Sequence, residues 1–296
     1  MNNWDDYRLI LAMDRAGSVR GTAKALGVNH ATVSRRLAQL QANGAPTLFE
    51  RITGGYRATQ SGKLLVEAAT EIEAISLATE RKRRARVTEL AGTIRLSLPT
   101  MMAQSLLLDA LAVFSRRYPF IELIIDTSLQ FADLDRSEAD VVVRGADDPG
   151  DHLVGRRLFP YALGLYCALD YFETTLAGER RWLKYVGSTD SMDWIAASPQ
   201  PHARIGMHID DLVVLQRAAA AGHGMIRTAC FMADPDPQLM RLPDSAPELH
   251  RDLWVLTHPD LKQTPRIRLL MDHLIAALQA RKSLITGDLP SPAEAH

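Results

Sequence analysis

The sequence predicts an α/β protein with an all-α N-terminal head, a long linking helix and a larger body in which strands and helices alternate. Apolar residues recur at helical spacing through the first part of the chain. Helix-forming residues then run from Gln60 to about Glu89. From Thr93 onward, short aliphatic strands alternate with helices, which is typical of a mostly parallel sheet covered on both faces. The length of 296 residues favours two domains.

Composition excludes several broad classes of protein. Hydrophobic residues make up 47% and charged residues 23%, which is typical of a globular protein. The two cysteines, Cys167 and Cys230, are too few and too far apart for a disulfide framework or a cysteine-rich zinc site. The longest uncharged apolar stretch, residues 159–169, is too short to cross a bilayer, and the first residues lack a signal-peptide pattern. We therefore expect a cytoplasmic protein with no membrane partner.

The net charge of −1 hides an asymmetry along the chain. Residues 1–86 hold 14 Lys and Arg against 8 Asp and Glu, a balance of +6, whereas residues 87–296 hold 20 against 27, a balance of −7. A basic head on an acidic body favours a head that binds a polyanion such as nucleic acid. Chance clustering is the alternative, because the basic run at residues 81–86 supplies much of the excess.

The head contains the spacing of a helix-turn-helix. The apolar periodicity predicts helices over residues 3–15, 19–26 and 30–42. Ala23 is a small residue where two helices would cross, Gly27 tolerates positive φ in the turn, and Val33 is an aliphatic anchor on the next helix. Helix 30–42 would then be the recognition helix, with its N-terminal turn in the major groove. A three-helix protein-binding module is the alternative at this point.

Polar side chains on this head are candidate DNA contacts. The segment that follows, residues 48–59, is typical of a strand, a glycine turn and a second strand, which together form a wing. Arginine and serine side chains hold phosphates, and arginine, histidine and threonine can also reach base edges. We predict phosphate contacts by Ser18, Ser34, Arg35 and Arg51, base contacts by His30, Thr32 and Arg36, and entry of Arg57 into a minor groove.

With these motifs in order, the head resembles the LysR-type transcriptional regulators. The matching motifs are residues 23–28, 32–37, 48–51 and 59–62. The sequence departs from the family pattern at Gln41, where Glu is usual, at Ala58, where Leu is usual, and in the segment 43–47 that precedes Leu48. The resemblance implies that residues 1–59 form a winged helix-turn-helix DNA-binding domain.

The predicted long helix carries a heptad seam, with Thr59 as its N-cap and a hinge at Ala91-Gly92. The seam consists of Leu65, Ala68, Ile72, Ile75, Thr79 and Lys82. The resemblance implies that residues 60–91 are a linker through which two chains form an antiparallel dimer. A helix packed only on its own body is the alternative.

The resemblance extends into the body through motifs at residues 118–123, 139–144, 153–158 and 221–225. These look like the effector-binding domain of the same family, which is similar to periplasmic binding proteins and has two α/β lobes with a ligand cleft between them. The implied domain is 92–284, with lobe one at 92–161 and 266–284 and lobe two at 162–265. Residues 285–296 are expected to form a flexible tail.

Candidate effector contacts follow the strands of lobe one. Ligands of open α/β sheets bind beyond the carboxyl ends of strands, and helix N-termini there favour anions. The family often binds inducer carboxylates at the two points occupied here by Thr100 and by Thr127-Ser128. The predicted effector site comprises Thr100, Met101, Thr127, Ser128, Phe131, Arg144 and His208. As alternatives, Thr100 and Ser128 only cap helices, Arg144 only pairs with Asp147 or Asp148, and His208 is an ordinary loop residue.

The sequence contains no catalytic triad order and no metal-ligand spacing, so we predict no enzyme activity, metal or cofactor. We predict a sequence-specific DNA-binding regulator, dimeric or tetrameric, that binds a pseudo-palindromic operator and responds to a small-molecule effector such as a carboxylate. One alternative is a solute-binding or enzymatic body with an accessory helical head. Another is a regulator that responds to a protein partner or to oxidation at Cys230, although a buried, inert thiol is the simpler interpretation.

Overall fold

The chain forms two compact units, residues 1–81 and 82–296. The computed structural model describes residues 3–40, 46–85, 90–127, 139–150, 153–186 and 193–288. The predicted fold class is confirmed, because a helical head with a wing is followed by a long helix and an α/β body. In the part of the chain that is described, no helix is long and apolar enough to cross a membrane.

Unit one contains three short helices, a hairpin and most of the long helix. The elements are α1 (Trp4–Ala16), α2 (Val19–Leu26), α3 (His30–Leu40), β1 (Phe49–Ile52), β2 (Gly55–Ala58) and α4 (Gln60–Ala85). Local side-chain caps begin all four helices: Asn3 Oδ1 accepts from Asp5 N at 3.1 Å, Ser18 Oγ from Gly21 N at 3.1 Å, Asn29 Oδ1 from Ala31 N at 3.0 Å, and Thr59 Oγ1 from Gly62 N at 3.1 Å. Each cap satisfies a backbone N–H that the helix itself leaves unbonded.

The helix-turn-helix is confirmed by its turn and its core. Gly27 ends α2 with φ 66° and ψ 30°, the left-handed region that the sequence analysis required of it. Ala23 and Val33 are buried in one apolar cluster, together with Leu9, Ile10 and Met13 of α1, Leu37 of α3, and Leu48, Phe49 and Ala58 of the wing segment. This cluster holds the recognition helix α3 against α1 and α2.

The wing is a two-stranded antiparallel hairpin that is attached to the end of α1. Phe49 pairs with Ala58 and Ile52 with Gly55. The N–H of Tyr56 donates to the carbonyl of Gly17 at 2.9 Å. A Cβ at Gly55 would lie only 2.3 Å from that carbonyl oxygen, so glycine is required for this close approach.

Unit two is an α/β body built on one long mixed sheet. Its strands are β3 (Gly92–Ser97), β4 (Ile121–Asp126), β5 (Val141–Ala146), β6 (Val154–Ala168), β7 (Arg181–Tyr185), β8 (Arg204–Ile209), β9 (Ile226–Ala229), β10 (Leu239–Arg241) and β11 (Glu248–Thr257). Within the described residues, the main sheet has the order β10-β6-β11-β5-β3-β4, with β9 also paired to β6, and β7 pairs with β8 in a separate parallel ladder.

Helices cover the sheet at several places. They are α5 (Thr100–Met102), α6 (Leu108–Arg117), α7 (Leu169–Thr174), α8 (Asp193–Ala196), α9 (Leu212–Ala220), α10 (Cys230–Ala233), α11 (Pro265–Ala280) and α12 (Lys282–Ile285). A π-helical turn, Ala103–Leu107, joins α5 to α6. The helical segment after β3 therefore runs from Thr100 to Arg117. The largest core cluster lies under these helices and includes Ile94, Leu106, Phe114, Val143 and Leu270.

Two long strands, β6 and β11, pair with each other and with other strands of the main sheet. β6 pairs with β11 through Val154 to Leu163, whereas its second half pairs with β9 and β10. β6 is 15 residues long and β11 is 10 residues long. β11 also pairs with β5 over residues 252–257, and its Leu253 and Val255 are buried in the core that contains Ile94. β11 thus connects β5 and β6 within one sheet, and the implied lobe boundaries stay a prediction.

Candidate nucleic-acid interface and effector-binding region

The outer face of α3 carries the predicted recognition residues. Its inner face is fixed by the buried Val33 and Leu37, and this burial turns the intervening side chains outward. His30, Ser34 and Arg35 are exposed, whereas Thr32 is half-buried. The exposed side chains begin at the N-terminal turn of α3, the part of a recognition helix that meets base edges.

Arg36 lies differently from its neighbour Arg35. It is half-buried, and its Nη2 lies 3.4 Å from Asp5 Oδ2 at the start of α1. A guanidinium held by an acid on a neighbouring helix has to leave that acid before it binds a base. The geometry therefore favours Arg35 over Arg36 as a direct DNA contact, which the one-dimensional pattern of the helix did not show.

The remaining predicted DNA contacts lie at the edges of the head. Ser18 Oγ caps α2, and a hydroxyl that accepts one bond still has a proton to donate to a phosphate. Arg51 is exposed on β1. Arg57 is exposed on β2, but its Nη2 donates to Glu50 Oε1 across the hairpin at 2.9 Å. Arg57 thus has to exchange Glu50 for phosphate before it can follow the wing into a minor groove.

Two further cations are suited to phosphate and were not identified from the sequence. Arg20 and Lys24 lie four residues apart on α2, so they share one face of the helix, and both are exposed. The sequence signal for these contacts was the pair of basic residues at positions i and i+4 of α2. In a helix-turn-helix, the first helix of the pair crosses the DNA backbone.

In the body, the two predicted strand ends come together. β3 and β4 are parallel neighbours, with Ser97 opposite Asp126. The hydroxyl of Thr100, just beyond β3, donates to the carbonyl of Thr127, just beyond β4, at 2.9 Å. Two predicted effector contacts, Ser128 and Phe131, lie outside the described residues.

The turn beyond the end of β3 also lies next to the helix α9. α5 lies in contact with α9, and Leu212 and Val213 at the start of α9 pack against the core that contains Met101. Met101 is 8% exposed, so its side chain belongs to that core. Asp211 caps α9 by accepting from Val213 N at 2.8 Å and from Val214 N at 2.9 Å. The Thr100 turn and a capped helix N-terminus thus lie on facing sides of the same region.

The two other predicted effector contacts have distinct surroundings. Arg144 Nη2 donates to the carbonyl of Pro149, and burial lowers the pKa of this guanidinium from its ordinary value. The two acids considered as its partners have other contacts: Asp147 lies 3.2 Å from Arg251, and Asp148 Oδ1 accepts from Gly150 N at 2.8 Å. His208 is exposed on β8 and stands opposite Lys184 of β7.

The two thiols are free and buried. Burial raises the pKa of Cys167 to about 12, and burial likewise raises the pKa of Cys230. A thiol is nucleophilic as its thiolate, so these environments oppose reaction with an oxidant at neutral pH. Among the described residues, no group of His, Cys, Asp and Glu side chains is arranged to hold a metal ion.

This architecture defines a class of protein, a DNA-binding head with a wing joined to an α/β effector-binding body, and comparison with known proteins identifies the family. The chain matches the model of the bacterial regulatory helix-turn-helix protein, lysR family, over residues 4–63 and the model of the LysR substrate binding domain over residues 88–279. The chain therefore belongs to the LysR family of transcriptional regulators, and the resemblance stated from its motifs is confirmed.

Relatives of known name are transcriptional regulators. The chain is 28% identical to the Mau operon transcriptional activator of Paracoccus denitrificans over 277 residues, which cover 90% of this chain and 93% of that protein. It is 27% identical to the HTH-type transcriptional regulator DmlR of Escherichia coli over 163 residues, which cover 53% of this chain and 52% of DmlR.

Solved structures share the fold. CrgA, a LysR-type transcriptional regulator from Neisseria meningitidis, superposes with a TM-score of 0.57 at 20% identity and covers 94% of this chain and 99% of CrgA. The full-length virulence activator AphB of Vibrio cholerae gives a TM-score of 0.55 at 20% identity over 93% of this chain and 99% of AphB.

Proposed function

We propose that this regulator binds a pseudo-palindromic operator as a dimer, or as a tetramer made of two dimers, in the cytoplasm, where its DNA target lies. Each head places the N-terminal turn of α3 in a major groove, and two heads of a dimer occupy successive grooves on one side of the duplex. The observation that carries the proposal is the buried packing of Val33 and Leu37, because it leaves His30, Ser34 and Arg35 exposed along one face.

The proposed contacts fall into two groups: those that bind phosphates and position the head, and those that reach the bases and give sequence preference. Ser18, Ser34, Arg35 and Arg51 bind phosphates, with Arg20 and Lys24 added from the structure. His30 and Thr32 reach base edges, and Arg36 joins them when it exchanges Asp5 for DNA. Arg57 enters the minor groove after it exchanges Glu50.

The test is a titration of the full-length protein with the DNA upstream of its own gene and the neighbouring gene. Specific binding should exceed binding to competitor DNA, and the logarithm of affinity should fall linearly with the logarithm of salt concentration. Only weak binding that ignores sequence, at every salt concentration and with every upstream fragment, would contradict the proposal.

The effector site is proposed at the turn after β3. The Thr100–Thr127 contact brings two strand ends together at the start of the helical segment that follows β3, where backbone N–H groups favour an anion. A small carboxylate is the effector class that these groups suit, with Arg144 of β5 and His208 of β8 as further predicted contacts. The effector acts by binding one arrangement of the lobes better than the other, and we propose no catalytic role for the body.

Replacement of the Thr100 hydroxyl tests this site. Thr100→Val keeps the shape of the side chain but removes the bond to Thr127, so we expect loss of the thermal shift given by a carboxylate that stabilises the wild type. A panel of small carboxylates supplies the probe, and Thr100→Ser, which retains the hydroxyl, is the matched control. DNA affinity without effector should be unchanged in both variants. A normal shift with Thr100→Val would assign the hydroxyl to local structure alone.

A further inference from the structure

An ion pair joins α1 of the head to the linker helix α4. Arg15, in the last turn of α1, donates from Nη1 to Glu73 Oε1 at 2.9 Å and from Nη2 to Glu73 Oε2 at 2.6 Å. The two residues are 58 positions apart in sequence, and both side chains are about a third exposed. A two-bond contact between planar groups fixes direction as well as distance, which a single contact does not.

The other contacts between α4 and the head lie near the start of the helix. Thr59 caps α4 and donates to the carbonyl of Thr47 at 2.6 Å. A Cβ at Gly62 would lie 2.0 Å from the carbonyl oxygen of Leu48, so the backbones touch there. Leu65 and Val66 pack on the head's core. These contacts hold the first turns of α4 on the head. Ala69, which is fully buried, is the last buried side chain before Glu73.

The ion pair differs from these contacts in its position, because it lies farther along α4 from the start of the helix. Glu73 lies roughly 20 Å along the axis from the first residue of α4, at about 1.5 Å per residue. At that distance a movement of about 1 Å corresponds to a tilt of only about 3°, so a contact at Glu73 controls the angle of the helix more tightly than a contact at its start.

The end of α1 is also the point where the other DNA-contacting elements attach. Gly17, two residues after Arg15, accepts the N–H of Tyr56 and so holds the wing. Ser18 then caps α2, the first helix of the helix-turn-helix. Arg15 therefore connects the linker helix to the segment that positions both the wing and the helix pair.

We propose that Arg15 and Glu73 form a positioning brace that fixes the angle between α4 and the DNA-binding head, and thereby the spacing of the half-sites that a dimer can bind. The angle itself is a property of unit one. Its consequence for half-site spacing rests on the dimeric DNA binding proposed above.

The angle is measured without DNA. Spin labels at Lys24→Cys on α2 and Ser76→Cys on α4 occupy exposed positions on the two sides of the brace. Dipolar distance measurements on the full-length protein, diluted with unlabelled chains, report the distance within one chain. Glu73→Gln and Arg15→Gln should each broaden or shift the distance distribution. The matched control is Glu71→Gln, the same charge change at an exposed position on the same helix.

The consequence for DNA is measured with operators whose half-site spacing is changed by one or two base pairs. Glu73→Gln should weaken binding at the natural spacing about two- to fivefold, the range expected for loss of an exposed ion pair, and should flatten the preference among spacings. A charge swap, Arg15→Glu with Glu73→Arg, should restore part of that preference. A variant that merely lowers stability would reduce binding at every spacing alike.

The outcomes separate the two proposals. Distance distributions for Glu73→Gln and Arg15→Gln that match those of Glu71→Gln would overturn the brace, whatever the protein does with DNA. Broadened distributions with an unchanged preference for half-site spacing would confirm the control of the angle and overturn its role in operator selection. Broadened distributions for Glu73→Gln and Arg15→Gln, together with a wild type that binds no operator, would support the brace and refute the proposed function.

Discussion

At the scale of single residues, the two adjacent arginines of the recognition helix are not equivalent. Arg35 is exposed, whereas Arg36 lies 3.4 Å from Asp5 of α1. Helical periodicity places both outside the buried stripe formed by Val33 and Leu37, so the sequence alone assigned both to DNA. The acid that holds Arg36 comes from another helix, and only the packing of α1 against α3 brings it there.

This difference leads to a prediction for Arg35→Ala. The variant should lose operator affinity by about 5- to 150-fold, the effect of losing a direct contact, and the slope of log affinity against log salt should fall by about one per subunit. Arg36→Ala is the matched control and should change affinity and slope less, because its charge is partly met by Asp5 in the free protein. Fluorescence anisotropy measures both, and sedimentation should show unchanged assembly. Wild-type affinity in Arg35→Ala would exclude Arg35 from the interface.

At the scale of elements, a buried polar network joins three parts of the body. Asp234, after α10, accepts from Tyr166 Oη of β6 at 2.8 Å and from Arg241 of β10 at 2.9 and 2.6 Å. Arg241 also donates to the carbonyl of Gly287, beyond α12, at 3.0 Å. The side chains of Arg241 and Asp234 are 10% and 3% exposed. The network therefore connects the segment after α12 to β6 and β10.

Removal of only one member of the ion pair between Arg241 and Asp234 should strongly lower the free energy of unfolding. Arg241→Met leaves the carboxylate of Asp234 buried without its cation, so the free energy of unfolding should fall by about 3–5 kcal/mol. The double variant Arg241→Met with Asp234→Leu should recover part of that loss, since no charge stays behind. Arg251→Met, which breaks the exposed pair with Asp147, is the control and should cost at most about 1 kcal/mol. Urea unfolding measures all three, and equal losses for the two single variants would contradict a buried role.

At the scale of the whole molecule, the chain consists of two compact units with separate cores. The core of the head contains Leu9, Val33 and Phe49, and the main core of the body contains Ile94, Phe114 and Leu270. Because each unit buries its own apolar surface, each has its own cooperative stability.

Operator DNA should consequently stabilise one unit selectively. Calorimetry of the full-length protein should show two transitions, and a saturating operator fragment should raise the one that belongs to the head, by about 2.7 kcal/mol of stability at 100 times Kd. A scrambled fragment of equal length is the control. A single transition, or an equal shift of both transitions, would show that the units unfold as one.

Local features of the chain could be predicted from the sequence alone. The turn at Gly27, the anchors Ala23 and Val33, and the caps Ser18 and Thr59 depend on residues within a few positions of one another, so their spacing is enough to predict them. The family motifs follow from the same short-range spacing, which is why the DNA-binding head was predicted almost element by element.

The tertiary structure alone decided the contacts between distant segments. The Thr100–Thr127 contact, the pairing of Arg36 with Asp5, and the brace between Arg15 and Glu73 each require elements to meet that the sequence separates. The pairing of β11 with both β5 and β6 is of the same kind, because a strand's partners lie far away in sequence and its local preferences do not name them. Hydrophobic periodicity predicts which face of an element is buried, but only the packed structure shows which other element covers that face.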